Sequence, residues 1–167
     1  MDLRYYQKDA IDAVLKNEHQ FGKQLVVMPT GAGKTICFSA LAQHKLPTRT
    51  LVLADKEKLV EQACEKIEQS IGMYAGREQA QHKADLDNAI VVSSVQTMIN
   101  RLGKWPKNHF DTVVVDEAHH CVADMWQEVL AHFDDHAKVV GFTATPFRSD
   151  KRELGSYFEE VSYEIGL

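Results

Sequence analysis

Hydrophobic residues in this chain come in two rhythms. Short runs of consecutive apolar positions occur at 24–28, Thr50–Ala54, Ala89–Ser93, Thr112–Val115 and Lys138–Phe142, and a last one at Val161–Ile165. Between them, apolar residues recur every three or four positions. Ala10, Ile11, Val14 and Leu15 predict a helix over 4–19. Ile36, Cys37, Ala40 and Leu41 predict one over 33–44, and Leu59, Val60, Ala63, Cys64 and Ile67 one over 56–70. Val95–Leu102 reads as a short helix ending at Gly103, and Met125, Trp126, Val129, Leu130 and Phe133 form a further stripe. Gly72 and Gly76 bracket Met73-Tyr74-Ala75, read as a short strand. Residues 77–88 are polar without a period and are expected as surface loop or a short exposed helix.

Strands that are apolar throughout, rather than alternating, are buried on both faces. With helices between them, they predict an α/β fold: a mostly parallel sheet with helices on both faces. No repeat, low-complexity stretch or linker divides the sequence, so residues 1–167 are expected to form a single domain. In such sheets ligands bind beyond the strand C-terminal ends. Five strand ends carry polar chemistry: the loop after Met28, Ala54-Asp55-Lys56, Ser93-Ser94, Asp116-Glu117 and Thr143.

Composition narrows the class. A chain of 167 residues buries a full core, and no stretch has the apolar length to span a bilayer. The N-terminus lacks an apolar signal region, so the expected location is the cytoplasm, with no membrane partner. Three scattered cysteines support neither a disulfide framework nor a zinc ribbon; Cys37 and Cys64 are expected as core thiols. A net charge of −5 argues against gripping nucleic acid by bulk positive charge and leaves room only for a local basic groove.

Met28-Pro29-Thr30-Gly31-Ala32-Gly33-Lys34-Thr35 lies between a strand and a helix. That is the layout of a phosphate-binding P-loop, although Met28 stands where the strict pattern has glycine. Glycines let the backbone turn its N–H groups inward, onto phosphates at a helix N-terminus. Lys34 is expected to reach the β- and γ-phosphates and Thr35 to ligate Mg²⁺. Asp116, at a strand tip, is the second Mg²⁺ candidate, and Glu117 the general base for the attacking water. His119-His120-Cys121 lacks the gap that wraps a zinc ion. Thr143-Ala144-Thr145-Pro146 offers two hydroxyls at the next strand end.

In this order the residues resemble the first motor domain of superfamily 2 helicases and translocases, with its RecA-like P-loop NTPase fold. The DEAH-type branch, which includes type III restriction subunits and DNA-repair helicases, is the most similar. Leu3-Arg4-Tyr5-Tyr6-Gln7 is similar to the Q motif, Pro29–Thr35 to motif I, Leu51–Ala54 through Leu59–Gln62 to motif Ia, and Ser94–Thr97 to motif Ib. Asp116–His119 resembles motif II and Thr143–Pro146 motif III, with Phe147–Asp150 leading out of the domain.

The resemblance implies an ATP- and Mg²⁺-dependent motor. Arg4 and Gln7 would read adenine, and Pro29, Thr30, Gly31, Ala32, Gly33, Lys34 and Thr35 would hold the phosphates. His119, Thr143 and Thr145 would couple nucleotide state to nucleic acid, DNA ahead of RNA. Lys56, Ser94 and Thr97 would touch the phosphodiester backbone, with Lys58, Arg101, Lys104 and Lys107 as further basic candidates. It also implies a second RecA-like domain bearing motifs IV to VI and the arginine fingers, for which the residues after Ile165 leave no room, so a partner domain in cis or in trans is expected. An arginine finger contributes roughly 10³-fold or more in rate, so the chain alone is expected to bind nucleotide and turn it over slowly. The competing readings are a P-loop enzyme of another class, for which no lid or Asn-Lys-x-Asp guanine motif is present, and a non-hydrolysing interaction module, against which the intact Lys34, Thr35, Asp116 and Glu117 count.

Overall fold

The computed structural model describes residues 2–144 and 154–165. Seven strands form one sheet: β1 (Lys23–Val27), β2 (Thr50–Ala54), β3 (Gly76–Glu78), β4 (Ile90–Ser94), β5 (Thr112–Asp116), β6 (Lys138–Thr143) and β7 (Glu160–Glu164). All neighbouring pairs are parallel, in the order β3-β4-β2-β5-β6-β1-β7. The helices are α1 (Tyr5–Asn17), α2 (Lys34–His44), α3 (Glu57–Ile71), α4 (Val95–Ile99) and α5 (Asp124–Phe133). This is the RecA-like architecture the sequence predicts.

The sheet separates two apolar layers because successive strand residues point to opposite faces. Val26, Val52, Val92, Val114 and Val140 pack with Val14 of α1, Phe38 and Leu41 of α2 and Val60 and Ile67 of α3. Leu25, Leu51, Leu53, Val113 and Val115 pack on the other side with Met98 of α4 and Trp126, Val129 and Phe133 of α5. Cys37, Cys64 and Cys121 are free and buried in these layers. Burial pushes the thiols of Cys37 and Cys121 up to about 12 and that of Cys64 to about 11, so none is a reactive thiolate. Among the described residues no helix is long and apolar enough to cross a membrane.

Most element boundaries fall within a residue or two of the expected ones. The region after α3 does not. The strand there is Gly76–Glu78 rather than Met73-Tyr74-Ala75, and the polar stretch that follows is anchored, not solvated. Glu78 is fully buried. Its carboxylate accepts from Arg101 and Lys104, and from the backbone N–H of Ala84 at 3.1 Å. Lys104 also donates to Ala84 O at 2.6 Å and Arg101 to His82 O at 2.8 Å. Arg101 and Lys104 are therefore engaged within the fold rather than presented to nucleic acid, as their sequence had suggested. The predicted Val95–Leu102 helix is split: α4 stops at Ile99 and a 3₁₀ turn, Leu102–Lys104, carries Lys104 towards Glu78.

Candidate nucleotide-binding site

β1 delivers the chain into the loop 28–33. Met28 N–H donates to Thr143 O at 2.8 Å, so the loop leaves the sheet beside the end of β6. Ala32 N–H closes a turn onto Pro29 O at 3.1 Å. Gly31 (φ 86°) and Gly33 (φ 80°) take left-handed backbone conformations that other residues adopt only with strain. Gly33 precedes α2, whose N-terminus has no side-chain cap. The first N–H groups of that helix are thus open to an anion, at the positive end of its dipole.

Across the cleft, β5 ends at Asp116-Glu117. β5 is separated from β1 only by β6, which brings two segments more than eighty positions apart to one edge. Lys34 Nζ lies 2.6 Å from Glu117 Oε1. Burial raises the Asp116 carboxyl above the usual carboxylate range, and the nearby Lys34 ammonium opposes that rise. Gly31, Gly33, Lys34, Thr35, Ile36, Lys66, Asp116 and Glu117 line a cleft of about 280 Å³. A larger cleft at the β3 edge, lined by Glu61, Glu65, Glu68, Arg77 and Lys83, lacks such convergence on a helix N-terminus.

Glu117 is held in a left-handed conformation, φ 56° and ψ 59°, at the head of a 3₁₀ turn, Ala118–Val122. Outliers of this kind concentrate at functional sites. The turn fans out the motif. His119 Nδ1 lies 3.4 Å from Thr143 Oγ1 and 3.6 Å from Glu117 Oε2, so the first two members of the predicted coupling set stand beside the predicted base. Thr145, the third, is outside the described residues, as is the Phe147–Asp150 segment. His120 stacks on Trp126 with an interplanar angle of 11° and points Nε2 at Asp55 Oδ2, 3.6 Å away. Partial burial lowers its imidazole from the usual range, against the pull of Asp55.

At the start of α1, Gln7 is almost wholly buried. Its Oε1 accepts from Arg4 N–H at 2.9 Å, and its Nε2 donates to Ala32 O at 3.0 Å. The carboxamide therefore braces the phosphate loop from behind. The exposed Arg4 guanidinium donates to Tyr6 Oη at 3.0 Å. Of the backbone-contact candidates, Lys56 is exposed at the start of α3 and Thr97 is half-buried in α4. Ser94 is a correction: it is fully buried, and its hydroxyl caps α4 by accepting from Thr97 N–H at 3.1 Å, so it presents no surface to a strand. Sequence reasoning missed Lys66, because an exposed lysine in a helix reads as solvated and no local pattern marks it.

Magnesium and a triphosphate suit these residues. One hydroxyl (Thr35) and one carboxylate (Asp116) are hard oxygen donors, the α2 N-terminus is uncapped, and Lys34 lines the same cleft.

The comparisons with known proteins bear on the fold and the family. The chain is 34% identical over 182 residues to the putative ATP-dependent helicase IRC3 of Saccharomyces cerevisiae, covering 99% of this chain and 26% of that protein. It is 30% identical over 160 residues to the DNA 3'-5' translocase XPB2 of Sulfurisphaera tokodaii, covering 92% of this chain and 33% of the relative. The chain thus spans about a quarter to a third of the length of these relatives. In fold it is similar to the Hef helicase domain of Pyrococcus furiosus, with a TM-score of 0.79 at 23% identity over 96% of this chain and 38% of that one. The type III restriction enzyme res subunit family matches residues 1–148, and the chain belongs to that family as an ATP-binding RecA-like motor domain of the superfamily 2 helicase kind.

Proposed function

We propose that this domain hydrolyses ATP with Mg²⁺ as the first RecA-like half of a nucleic-acid-dependent helicase or translocase of DEAH type. The observation that carries the reading is the 2.6 Å contact of Lys34 with Glu117 across a cleft that Thr35 and Asp116 also line. Thr35 and Asp116 would hold magnesium, which when bound screens the charge of the phosphate tail. Lys34 would exchange Glu117 for phosphate oxygens. A released Glu117 carboxylate is then placed to take a proton from water. His119 would report that exchange to Thr143 and on to Thr145. Arg4 and Gln7 would read the base, with Gln7 also fixing the height of the loop.

Lys56 and Thr97 would meet a phosphodiester backbone without reading sequence. DNA is favoured over RNA as the track because one relative is described as a DNA translocase and the family takes its name from restriction enzymes. A second RecA-like domain, in cis or in trans, would supply the arginine fingers, so the 167-residue chain should bind nucleotide but turn it over slowly.

Calorimetric titration of MgATP into the wild type and Lys34→Ala tests the assignment. We expect MgATP binding to drop by about 100-fold or more, since the charge-assisted phosphate contact of the lysine at the start of α2 is removed. Unchanged affinity in a folded Lys34→Ala protein would mean that the nucleotide, if bound, sits elsewhere.

A further inference from the structure

Among the described residues that line the cleft, Lys66 is the charged one that no motif accounts for. It lies on α3, which follows the C-terminal end of β2 and packs against α2. Ala63, about one turn earlier on the same face, and Ile67, the next residue in sequence, are buried, so Lys66 sits at the border of the packed face. Helical side chains lean towards the helix N-terminus. For α3 that direction is the sheet edge where the phosphate loop stands. Lys66 reaches the same cleft as Gly31, Lys34 and Glu117. It is exposed, and among the described residues no carboxylate pairs with it.

Charge gives that position a purpose. Without Lys66, the described lining of the cleft holds one cation, Lys34, against two carboxylates, Asp116 and Glu117. A polyanion entering such a site meets net repulsion. With Lys66 the lining is balanced before any metal arrives. The long stem and unpaired ammonium of Lys66 let it swing over the phosphate tail without breaking a contact in the fold.

On this basis, and resting on the nucleotide-binding reading above, we infer that Lys66 is a phosphate-binding residue. It supplies from within the domain a positive charge that favours nucleoside triphosphate over diphosphate. It acts on affinity, not on the chemical step, because the structure puts no reacting group in its hands.

The test is MgATP and MgADP titration of the intact chain carrying Lys66→Ala, Lys66→Glu or Lys66→Arg. An exposed charge within a few ångströms of phosphate should give about a threefold to tenfold loss of MgATP affinity in Lys66→Ala. The loss should be greater in Lys66→Glu, smaller for MgADP throughout, and largely restored in Lys66→Arg. Raising salt from about 0.05 M to about 1 M should shrink the difference between wild type and Lys66→Ala, since screening then acts within ~3 Å. Equal affinities in wild type and Lys66→Ala would overturn the inference. So would a loss that is the same for both nucleotides and insensitive to salt, which marks a structural role. Melting curves check that the exposed site tolerates each change. A wild type that binds no nucleotide fails the broader assignment instead, so the two failures are separable.

Discussion

Glu117→Gln is the most informative single change at the cleft. The carboxamide keeps the shape of the side chain and removes its charge. In the free domain Lys34 Nζ is held by Glu117 Oε1 at 2.6 Å, with the Lys34 side chain 12% exposed and that of Glu117 31%. Nucleotide must displace that contact to engage Lys34. A charge-assisted hydrogen bond is worth about 1.5–3 kcal/mol net when shielded. Discounted for the exposure of Glu117, the competition costs about 1–2 kcal/mol. The variant should therefore bind MgATP about 5- to 30-fold more tightly than wild type. Its apo form should melt lower, because Lys34 has lost its partner. Calorimetry at neutral pH and about 0.1 M salt reads the affinity, and a melting curve reads the fold. In a chain completed by its second domain the same variant should bind ATP and fail to hydrolyse it. A folded Glu117→Gln domain with unchanged or weaker MgATP affinity would refute the argument that the base guards the lysine.

Three other outcomes follow from described contacts. Gly33→Ala forces a β-carbon into a left-handed turn (φ 80°) and against the Gln7 carboxamide nitrogen, so it should cost about 1–3 kcal/mol in urea unfolding and abolish MgATP binding. Glu78→Ala leaves Arg101 and Lys104 without their buried anion and should lower stability by about 2–4 kcal/mol, a figure kept below that for fully buried pairs because both cations are partly exposed; a loss under about 0.5 kcal/mol would show that the cations find other partners. Asp116→Asn should raise the melting temperature at pH 8. The folded-state carboxyl is raised by burial, so its contribution to stability is fully present below the unfolded pKa and is lost as pH rises through the folded one; the gain from Asn must fade towards the acid range, and a variant that melts lower at pH 8 would contradict this.

The parallel core was legible because it is buried on both faces. Leu51–Ala54 and Val113–Val115 carry no polar residue that could confuse the pattern. The phosphate loop was legible for a different reason: Gly31, Gly33, Lys34 and Thr35 are each required by local geometry. What escaped depends on partners distant in sequence. Glu78 looked like a loop charge because its counterions lie more than twenty positions later, and a window of ten residues cannot see them. Ser94 looked like a surface hydroxyl because the shortness of α4, which it caps, was not visible. The bond from Gln7 Nε2 to Ala32 O was equally invisible, because it spans 25 positions. The meeting of Lys34 with Asp116-Glu117 at one edge was expected from the strand ends they follow, and the sheet order, with β6 alone between β1 and β5, brings it about.

The left-handed backbone at Glu117 has a consequence for anyone evolving this domain. A residue with a β-carbon is held there at a cost of about 1–2 kcal/mol that glycine would not incur. Glycine there would relieve that strain but forfeit the 2.6 Å contact with Lys34, a loss of similar size, so libraries enriched for survival of heat gain nothing by moving to glycine at 117. Under the proposed role of Glu117 as base, enrichment for turnover holds the glutamate as well, and both selections leave this residue in place.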